Sequence, residues 1–507
     1  MANETFEKLL ARLHQVNDIA GAASLLGWDQ QTYMPPAGAA TRAERLGTLA
    51  GLAHEIFTDD ETGALLSALE HYAESIPYAS DEAALIRQTK KQYAKTKVIP
   101  SELAAESTRA EILGYSAWLE AKAEGDFAKF LPALERVIDI RRQQLDLYKT
   151  VLPDVEDEYD ILLDDFEPAL QASEVDVVFG RLKEATIPLV QLVTERADRV
   201  SNDILFGDYA VAQQKVVVRE IVEQLGFDPA SWRLDETEHP FASPMGIQDI
   251  RITNHYYPEW WGPALFGTMH EFGHGLYERG VGENLDRTSL ARGASMAWHE
   301  SQSRMWENLI GRGRPFWTWA APKLQAGFPG KLDGKTPDDF YRGVNKLGPS
   351  FIRIEADELT YNLHIILRFE LERDIFAGRV ALKDLPEAWN AKVKTYLGID
   401  VPNDSVGVLQ DVHWASGLLG YFPTYALGNV VSLQLWQRIT AEIPDLDAQV
   451  ASGEFGALRE WLREEIHWHG AKFTPKELLQ RVVGKDQFDP EPLIAYLTAK
   501  VTDLYGA

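Results

Sequence analysis

The sequence predicts a mostly α-helical fold with one small β-sheet, and three observations lead to this prediction. Apolar residues recur at helical spacing through most of the 507 residues. Strand-like alternation of polar and apolar residues is best developed in region 231–257. No Gly/Ser-rich or Pro-rich linker and no repeat of fixed period divides the chain. We therefore expect a single domain over residues 1–507, with two lobes as the alternative arrangement.

Helices are predicted from apolar stripes and from start signals. Two stripes have the spacing of one helix face: Phe6, Leu9, Leu10, Leu13, Val16 and Ile19, then Leu131, Leu134, Val137 and Ile138. Capping boxes predict helix starts at Ser173, Thr336 and Thr474, and the last two are followed by a proline at the first helical position. The alternating segment 249–253, DIRIT, is predicted to be a strand just before the HEFGH segment.

The charge and cysteine content exclude several classes of protein. Fifty basic and 77 acidic residues leave a net charge of −27, which disfavours nucleic acids and anionic membrane surfaces as partners. The chain has no cysteine, so a bound metal must take histidine and carboxylate ligands. Residues 414–437 carry no charge but contain three glycines and a proline, which favours a buried helix or cavity wall over a membrane span. The N-terminal segment lacks the pattern of a secretory signal, and the cytoplasm is the expected compartment.

The segment 270–274, HEFGH, is the strongest indication of chemistry. His270 and His274 are four residues apart, so on a helix they project from the same face and can bind one ion. Glu271 is adjacent to the first histidine and can reach a water molecule on that ion, where it acts as the general base of a metallopeptidase. The alternative is that the two histidines are ordinary surface or core residues.

A third protein ligand is needed, because catalytic zinc sites usually have three and keep one open position. Glu300 lies 26 residues after His274, in a helical stretch bracketed by Trp298 and Trp306, and it is our candidate. A carboxylate in a buried segment needs a cation or hydrogen-bond partner. His299 and Glu307 are the competing candidates on the same stretch.

The chain resembles the carboxypeptidase Taq family of metallocarboxypeptidases in motifs that span nearly its whole length. Besides HEFGH and the His-Glu-Ser-Gln of 299–302, the similar segments are Trp28-Asp29 with Met34-Pro35, the DIRIT of 249–253, the IRIEAD of 352–357 and the GVLQDVHW of 407–414. One departure is visible: Asn254-His255 stands where family members often have a threonine and an arginine. If that arginine shapes the substrate end of the groove, the length or side-chain preference of this chain differs from that of other family members.

The resemblance implies a helical fold with a deep active-site groove, similar in outline to neurolysin, and a small sheet beside the metal. It also implies a homodimer that removes C-terminal residues from peptides with broad specificity. The cofactor is expected to be one divalent metal per chain, Zn²⁺ first, although histidine and glutamate ligands also accept Co²⁺ or Mn²⁺. His270, His274 and Glu300 would hold it.

A carboxypeptidase must also recognise a free carboxylate, which arginine does best through paired hydrogen bonds. Arg353 and Arg251 are the candidates, with His413 as a further donor; the alternative is that they pair with local acids or lie in the core. Tyr421 is the candidate donor to the oxyanion of the tetrahedral intermediate, with Tyr425 beside it, although aromatic residues in a buried stretch are often core.

Two other functions stay open on the residues alone. An endo-acting zinc oligopeptidase would use the same metal site without needing a free C-terminus. A non-catalytic peptide-binding protein would keep the fold but would have no need for a general base beside the metal.

Overall fold

The computed structural model describes residues 2–506, and in them the prediction of a mostly helical protein is confirmed. A π-helical segment, Met305–Ile310, continues one of the helices without a break. In chain order the α-helices of the described residues are α1 Ala2–Thr32, α2 Ala39–Thr58, α3 Asp60–Ser75, α4 Asp81–Val98, α5 Ser101–Glu124, α6 Phe127–Tyr148, α7 Glu158–Asp164, α8 Ala172–Glu195, α9 Val211–Leu225, α10 Gly262–Gly280, α11 Met296–Arg304, α12 Arg314–Gly327, α13 Pro337–Val344, α14 Tyr361–Phe376, α15 Leu385–Leu397, α16 Pro423–Glu442, α17 Leu446–Ser452, α18 Gly456–Glu465, α19 Pro475–Val483 and α20 Glu491–Tyr505.

The small sheet has three strands, all inside the predicted region: β1 Trp232–Glu236, β2 Ala242–Gly246 and β3 Asp249–Asn254. The central strand is β3, which pairs parallel with β1 and antiparallel with β2. Ile250 and Ile252 of β3 are fully buried, as the alternation predicts. The sheet packs on α10, the helix that carries HEFGH.

The described residues group into two compact units, each assembled from three separated segments. The first comprises the described residues up to 96, together with 201–344 and 435–487; the second comprises 97–200, 345–434 and the described residues from 488. The sheet and α10 belong to the first unit, and α14 belongs to the second. The single domain over 1–507, with two lobes as its alternative, stays a prediction.

The apolar stripe of α1 forms part of the core of the first unit. Phe6, Leu9 and Leu13 are buried, as expected for one face of an amphipathic helix. They belong to a cluster with residues of α2, α3 and α4 and of the chain after α10: Phe57, Leu66, Leu69, Ala84, Leu85, Ile86, Ile247, Val281, Leu285, Leu290 and Ala471. The start of the chain is thereby attached to the part of the unit that carries α10.

A buried carboxylate organises part of the second unit. Glu372 of α14 is fully buried and accepts hydrogen bonds from the Tyr159 hydroxyl at 2.6 Å, the Trp414 indole N–H at 2.7 Å and the Gly420 amide at 2.9 Å. Burial raises the pKa of Glu372 to about 7. The segment between Trp414 and Gly420 is therefore fastened at both ends to one side chain.

The helix-start predictions are right at two positions and wrong at the third. Reciprocal side-chain bonds join Thr336 to Asp339 and Thr474 to Glu477, as in a capping box. The predicted box at Ser173 is wrong, because α8 begins two residues earlier, with Gln171 at the N-cap. Gln171 and Glu174 form a capping box, which provides acceptors for backbone N–H groups at the N-terminus of α8. The helix therefore begins before the Ser173 pattern can act as its start.

The uncharged segment 414–437 leads into and forms most of α16, whose residues are largely buried. This agrees with the prediction of a buried helix. Within residues 2–506, no helix has both the length and the apolar character that crossing a bilayer requires.

Candidate metal centre

Helix α10 holds the two histidines with their ring nitrogens converging. The Nε2 atoms of His270 and His274 lie 3.2 Å apart. The Nδ1 of His270 faces a carboxylate oxygen of Glu307 at 2.9 Å, and the Nδ1 of His274 faces the Nδ1 of His299 at 2.7 Å. A carboxylate can only accept, so a neutral His270 ring would carry its proton on Nδ1 and present the Nε2 lone pair. A cation satisfies two lone pairs that meet in this way.

Glycine inside the motif allows a second helix to approach α10. A Cβ atom on Gly273 would lie 2.5 Å from the carbonyl oxygen of Gln302 and 2.6 Å from the Cα of Ser303, both backbone atoms of α11. No side chain fits there without moving that helix. The close approach brings Glu300, on the same helix, to the histidines.

We expect Gly273→Ala to weaken cation binding about tenfold or more and to lower the melting temperature, because overpacking displaces α11 at a cost of about 1–3 kcal/mol. The checks are a competition titration with a chelator of known affinity and calorimetry of the metal-free protein. Gly47→Ala in α2 is the matched control, since nothing lies within 4 Å of its added methyl. Unchanged cation affinity in Gly273→Ala would show that the separation of the two helices does not control the site.

Glu300, the predicted third ligand, completes a set of three converging ligand atoms, and its binding of a metal stays a prediction. Its Oε2 lies 3.6 Å from the Nε2 of His270 and 3.5 Å from the Nε2 of His274, and the three ligand atoms all lie within 4.8 Å of one another. Tetrahedral zinc with bonds of about 2.0–2.2 Å has ligand–ligand separations of about 3.3–3.6 Å. The three distances and the His₂Glu donor set therefore fit a small divalent cation.

Two arginines fix the carboxylates around this set. Arg304 donates to Glu300 at 2.6 Å and to Glu307 at 3.1 Å, and Arg312 donates to Glu307 at 3.3 Å. Burial by itself would raise the pKa of both carboxyl groups, but Arg304 and His270 outweigh it. The pKa of Glu300 is held far below its usual range and that of Glu307 falls to about 2, so both are ionised at neutral pH.

The competing ligand candidates, His299 and Glu307, both contact the Nδ1 side of the histidine rings and not the side where the Nε2 atoms converge. The Nδ1 of His299 faces His274, and its Nε2 faces the Oε1 of Glu278 at 2.5 Å, so both its nitrogens are engaged. Glu307 contacts the Nδ1 of His270, on the side of the ring opposite the converging Nε2. Neither belongs to the set of converging ligand atoms.

Glu271, the predicted general base, is buried on α10 and only 7% exposed. Burial raises its pKa to about 7, opposed by the neighbouring His270 and assisted by Glu300 and Glu307. A carboxyl group whose pKa lies near neutrality is suited to both taking up and releasing a proton. Its catalytic role stays a prediction.

In the second unit, Arg353 lies in a buried, positively charged cluster. Its Nε and Nη2 donate to the Oδ1 of Asp411 at 3.1 and 2.8 Å, and its Nη1 donates to the Tyr361 hydroxyl at 3.0 Å. Arg368 donates to the other oxygen of Asp411 at 2.7 Å. Asp411 thus neutralises one of two buried guanidinium groups, and the three groups together carry one net positive charge. The buried Glu372 carboxyl also interacts with Arg368 and offsets part of this charge when it is ionised. The positive charge that remains in a buried position favours an anion.

His413 and the two tyrosines lie beside this cluster. The Nε2 of His413 is 3.2 Å from the Tyr425 hydroxyl, and its ring is 5.6 Å from that of Tyr421. Burial, opposed by Asp411 and assisted by Arg353, lowers the pKa of His413 to about 4, so the ring is neutral at neutral pH. Arg353, His413 and Tyr421 are thus close together, and their roles toward substrate stay predictions.

Arg251 belongs to the first unit. It forms paired hydrogen bonds with Asp249 at 2.8 and 3.0 Å, and its guanidinium lies 4.3 Å from the ring centroid of Trp28. These contacts agree with the alternative of a local ion pair, and carboxylate binding by Arg251 stays a prediction. Asn254, at the departure from the family pattern, is buried and donates to Ala264 and Thr268, which joins β3 to α10.

Sequence reasoning missed several residues that shape these clusters. Arg304 lies four residues after Glu300, and Glu278 lies four after His274, so helical spacing alone predicts that each pair shares a face. Asp411 lies within the GVLQDVHW segment, and that segment by itself does not indicate its partners. No local signal joins Arg368 to Asp411, since 43 residues separate them.

Known proteins resemble this chain over its full length. A family model described as carboxypeptidase Taq (M32) metallopeptidase matches residues 8–501. Carboxypeptidase 1 of Bacillus subtilis is 39% identical over 506 residues, which cover 100% of both proteins. Thermostable carboxypeptidase 1 of Thermus thermophilus is 38% identical, with 99% of each protein covered. The crystal structure of an M32 carboxypeptidase from Deinococcus radiodurans R1 matches with a TM-score of 0.95 at 37% identity, over 99% of this chain and 100% of that one.

Proposed function

We propose, from the premise that this chain belongs to the carboxypeptidase Taq (M32) family and is therefore a metallocarboxypeptidase, that it is a zinc enzyme removing single residues from peptide C-termini with broad specificity. Family membership sets aside both the endo-acting oligopeptidase and the non-catalytic binding protein. The observation that carries the proposal is the convergence of His270, His274 and Glu300, with Glu271 on the same helix as the histidines.

Zinc is the proposed cation because two imidazoles and one carboxylate, at separations suited to a tetrahedral site, are its usual catalytic ligands. When bound, it supplies Lewis-acid chemistry that polarises the scissile carbonyl and lowers the pKa of the attacking water. The same donor set accepts Co²⁺ or Mn²⁺, so the metal content of the purified protein decides the identity.

Glu271 is proposed to move the proton. Its carboxylate takes a proton from the water as the water attacks the carbonyl carbon, and it later delivers that proton to the departing amine. Burial supports this role, because a carboxylate shielded from bulk water exchanges its proton with the reacting groups rather than with solvent.

Arg353 is proposed to bind the terminal carboxylate of the peptide. Its bonds to Asp411 and Tyr361 use three of the five guanidinium N–H groups and hold the side chain in a fixed orientation. The net positive charge of its cluster favours an anionic group over a neutral amide. His413 is proposed as a further donor to the carboxylate, and Tyr421 as a donor to the oxyanion.

The experiment uses one set of peptides that differ only in the C-terminal residue, each with a free and an amidated terminus. Zinc-loaded, cobalt-loaded and metal-stripped protein are incubated with each peptide, and the products are followed by mass spectrometry. We expect successive single-residue losses from the free peptides, intact amides, and no turnover without metal. Rates for different C-terminal residues are expected to differ by less than about a hundredfold, the range that pocket contacts of one or two methylenes produce.

Three results would contradict parts of this proposal separately. Release of C-terminal dipeptides would disprove single-residue removal. Equal cleavage of free and amidated peptides would disprove recognition of the terminal carboxylate. Turnover of one C-terminal residue alone would disprove broad specificity.

We also propose a homodimer and a cytoplasmic location. The dimer is supported by family resemblance, and light scattering at several protein concentrations tests it. The cytoplasmic location is supported by the absence of cysteine from all 507 residues, which fits a reducing compartment, and cell fractionation tests it.

A further inference from the structure

Given the proposed assignment of His274 as a metal ligand, we infer that His299 and Glu278 are positioning residues that fix the tautomer and orientation of that ligand. They form a chain of hydrogen bonds behind it, from the His274 ring through the His299 ring to a buried carboxylate. His299 is thus a support for the metal centre and not an alternative ligand.

The geometry of the chain is short and continuous. The two Nδ1 atoms of His274 and His299 lie 2.7 Å apart, and the Nε2 of His299 lies 2.5 Å from the Oε1 of Glu278. The side chain of Glu278 is 7% exposed and that of His299 is 18% exposed. Hydrogen bonds to an ionised group in such an environment are shorter and stronger than neutral ones.

The donor and acceptor of each hydrogen bond in this series follow from the groups at its two ends. A neutral His274 that binds a cation through Nε2 carries its proton on Nδ1, so it donates to His299. His299 must then accept at Nδ1 and carry its own proton on Nε2, which it donates to Glu278. The carboxylate can only accept, so it enforces the same tautomer from the other end.

Packing holds the His299 ring in the plane that this chain needs. The Tyr277 ring lies 5.3 Å from it at an interplanar angle of 33°, and a Cβ on Gly293 would come within 2.8 Å of its Cδ2. The ring is therefore enclosed by an aromatic side chain and by backbone that only glycine allows. Little space is left for another rotamer.

The two histidine ligands are supported differently. His270 donates directly to the carboxylate of Glu307, whereas His274 reaches the carboxylate of Glu278 only through a second imidazole. Outer partners of this kind raise ligand basicity and prevent ring rotation, and their loss typically weakens metal binding about 10- to 100-fold. Loss of the His299 bond leaves the Nδ1–H of His274 without its partner in a buried site.

The test compares His299→Gln with His299→Leu in the full-length protein. Glutamine keeps one acceptor and one donor and leucine keeps neither, although the two are similar in size. We expect His299→Leu to weaken zinc binding about 10- to 100-fold in competition with a chelator, and His299→Gln to recover most of that loss. Calorimetry of each metal-free protein checks that it is folded. His14→Leu is the control, because that half-buried histidine of the first unit lies outside the chain of hydrogen bonds.

A second measurement needs no variant. In zinc-loaded wild-type protein with ¹⁵N-labelled histidines, His299 is expected to show a protonated Nε2 and an unprotonated Nδ1. The opposite tautomer, or a doubly protonated ring, would overturn the inference, and so would wild-type zinc affinity in a folded His299→Leu. Retention of zinc by His274→Ala would instead contradict the ligand assignment within the proposed function.

Discussion

Replacing Glu271 by glutamine is expected to lower kcat about a thousandfold while zinc remains bound. General-base catalysis contributes about 10²- to 10⁴-fold to a rate, and the amide of glutamine cannot accept the proton of the attacking water. The substitution preserves the size of a buried side chain on α10 and leaves the three proposed ligands in place. KM is expected to change little, because the lost interaction is made mainly in the transition state.

Steady-state kinetics on a free-terminus peptide and metal analysis of the same preparation check this result together. Glu283→Gln, at an exposed position just after α10, is the matched control and is expected to keep full activity. A wild-type kcat in Glu271→Gln would disprove the role of Glu271 as the general base. A variant that lost both zinc and activity would show that Glu271 maintains the metal site.

Replacing Arg353 by methionine is expected to lower kcat/KM for peptides with a free C-terminus by about 30- to 1000-fold. This corresponds to about 2–4 kcal/mol, the range for loss of a buried, hydrogen-bonded charge partner. Removing one of the two guanidinium groups on Asp411 takes the cluster from one net positive charge to none, so its preference for an anion disappears. Most of the change is expected in KM, because the carboxylate is bound equally in the ground and transition states.

The informative quantity is the ratio of kcat/KM for free and amidated forms of one peptide. We expect this ratio to fall close to one in Arg353→Met and to be unchanged in Arg379→Met. In Arg353→Lys it should fall only partly, because lysine keeps the charge but not the planar guanidinium group. Arg379 is exposed and pairs with Asp374 in the same unit, which makes it a suitable control. A parallel loss for free and amidated peptides would assign Arg353 to structure alone. The same ratio measured for Arg251→Met tests the second candidate arginine.

Several features of the site were predictable because they depend on spacing along a helix. His270 and His274 share a face of α10 for that reason. Trp298 and Trp306, which predict a buried segment around Glu300, are both fully buried. The carboxylate chosen as third ligand, Glu300, is the one that converges with them. The sequence placed Glu300 ahead of the neighbouring candidates His299 and Glu307, and in the structure each of these contacts the Nδ1 of a histidine instead of joining the converging set.

Start signals were less reliable, as α8 shows. The Ser173 pattern is locally favourable, yet Gln171 and Glu174 satisfy the helix terminus two residues earlier. Where two capping patterns overlap, the first residue of the helix depends on which pattern the preceding backbone can form. Local sequence preference predicts this only weakly.

The sequence by itself determined the helical fold, the sheet near 249–253 and the helical spacing of His270 and His274, because periodicity and spacing are local properties. Its motifs also carried the resemblance to the family. Only the tertiary structure decided which long-range groups complete each site: Glu278 and Glu307 behind the histidines, Arg304 on Glu300, and Arg368 sharing Asp411 with Arg353. These contacts form where separate segments of the chain pack against each other. The missing Cβ atom at Gly273, for example, allows α11 to pack closely on α10. A buried charged group needs a partner of opposite charge or a hydrogen-bond partner, and that partner can come from a distant part of the sequence. Local sequence patterns therefore do not predict these pairs.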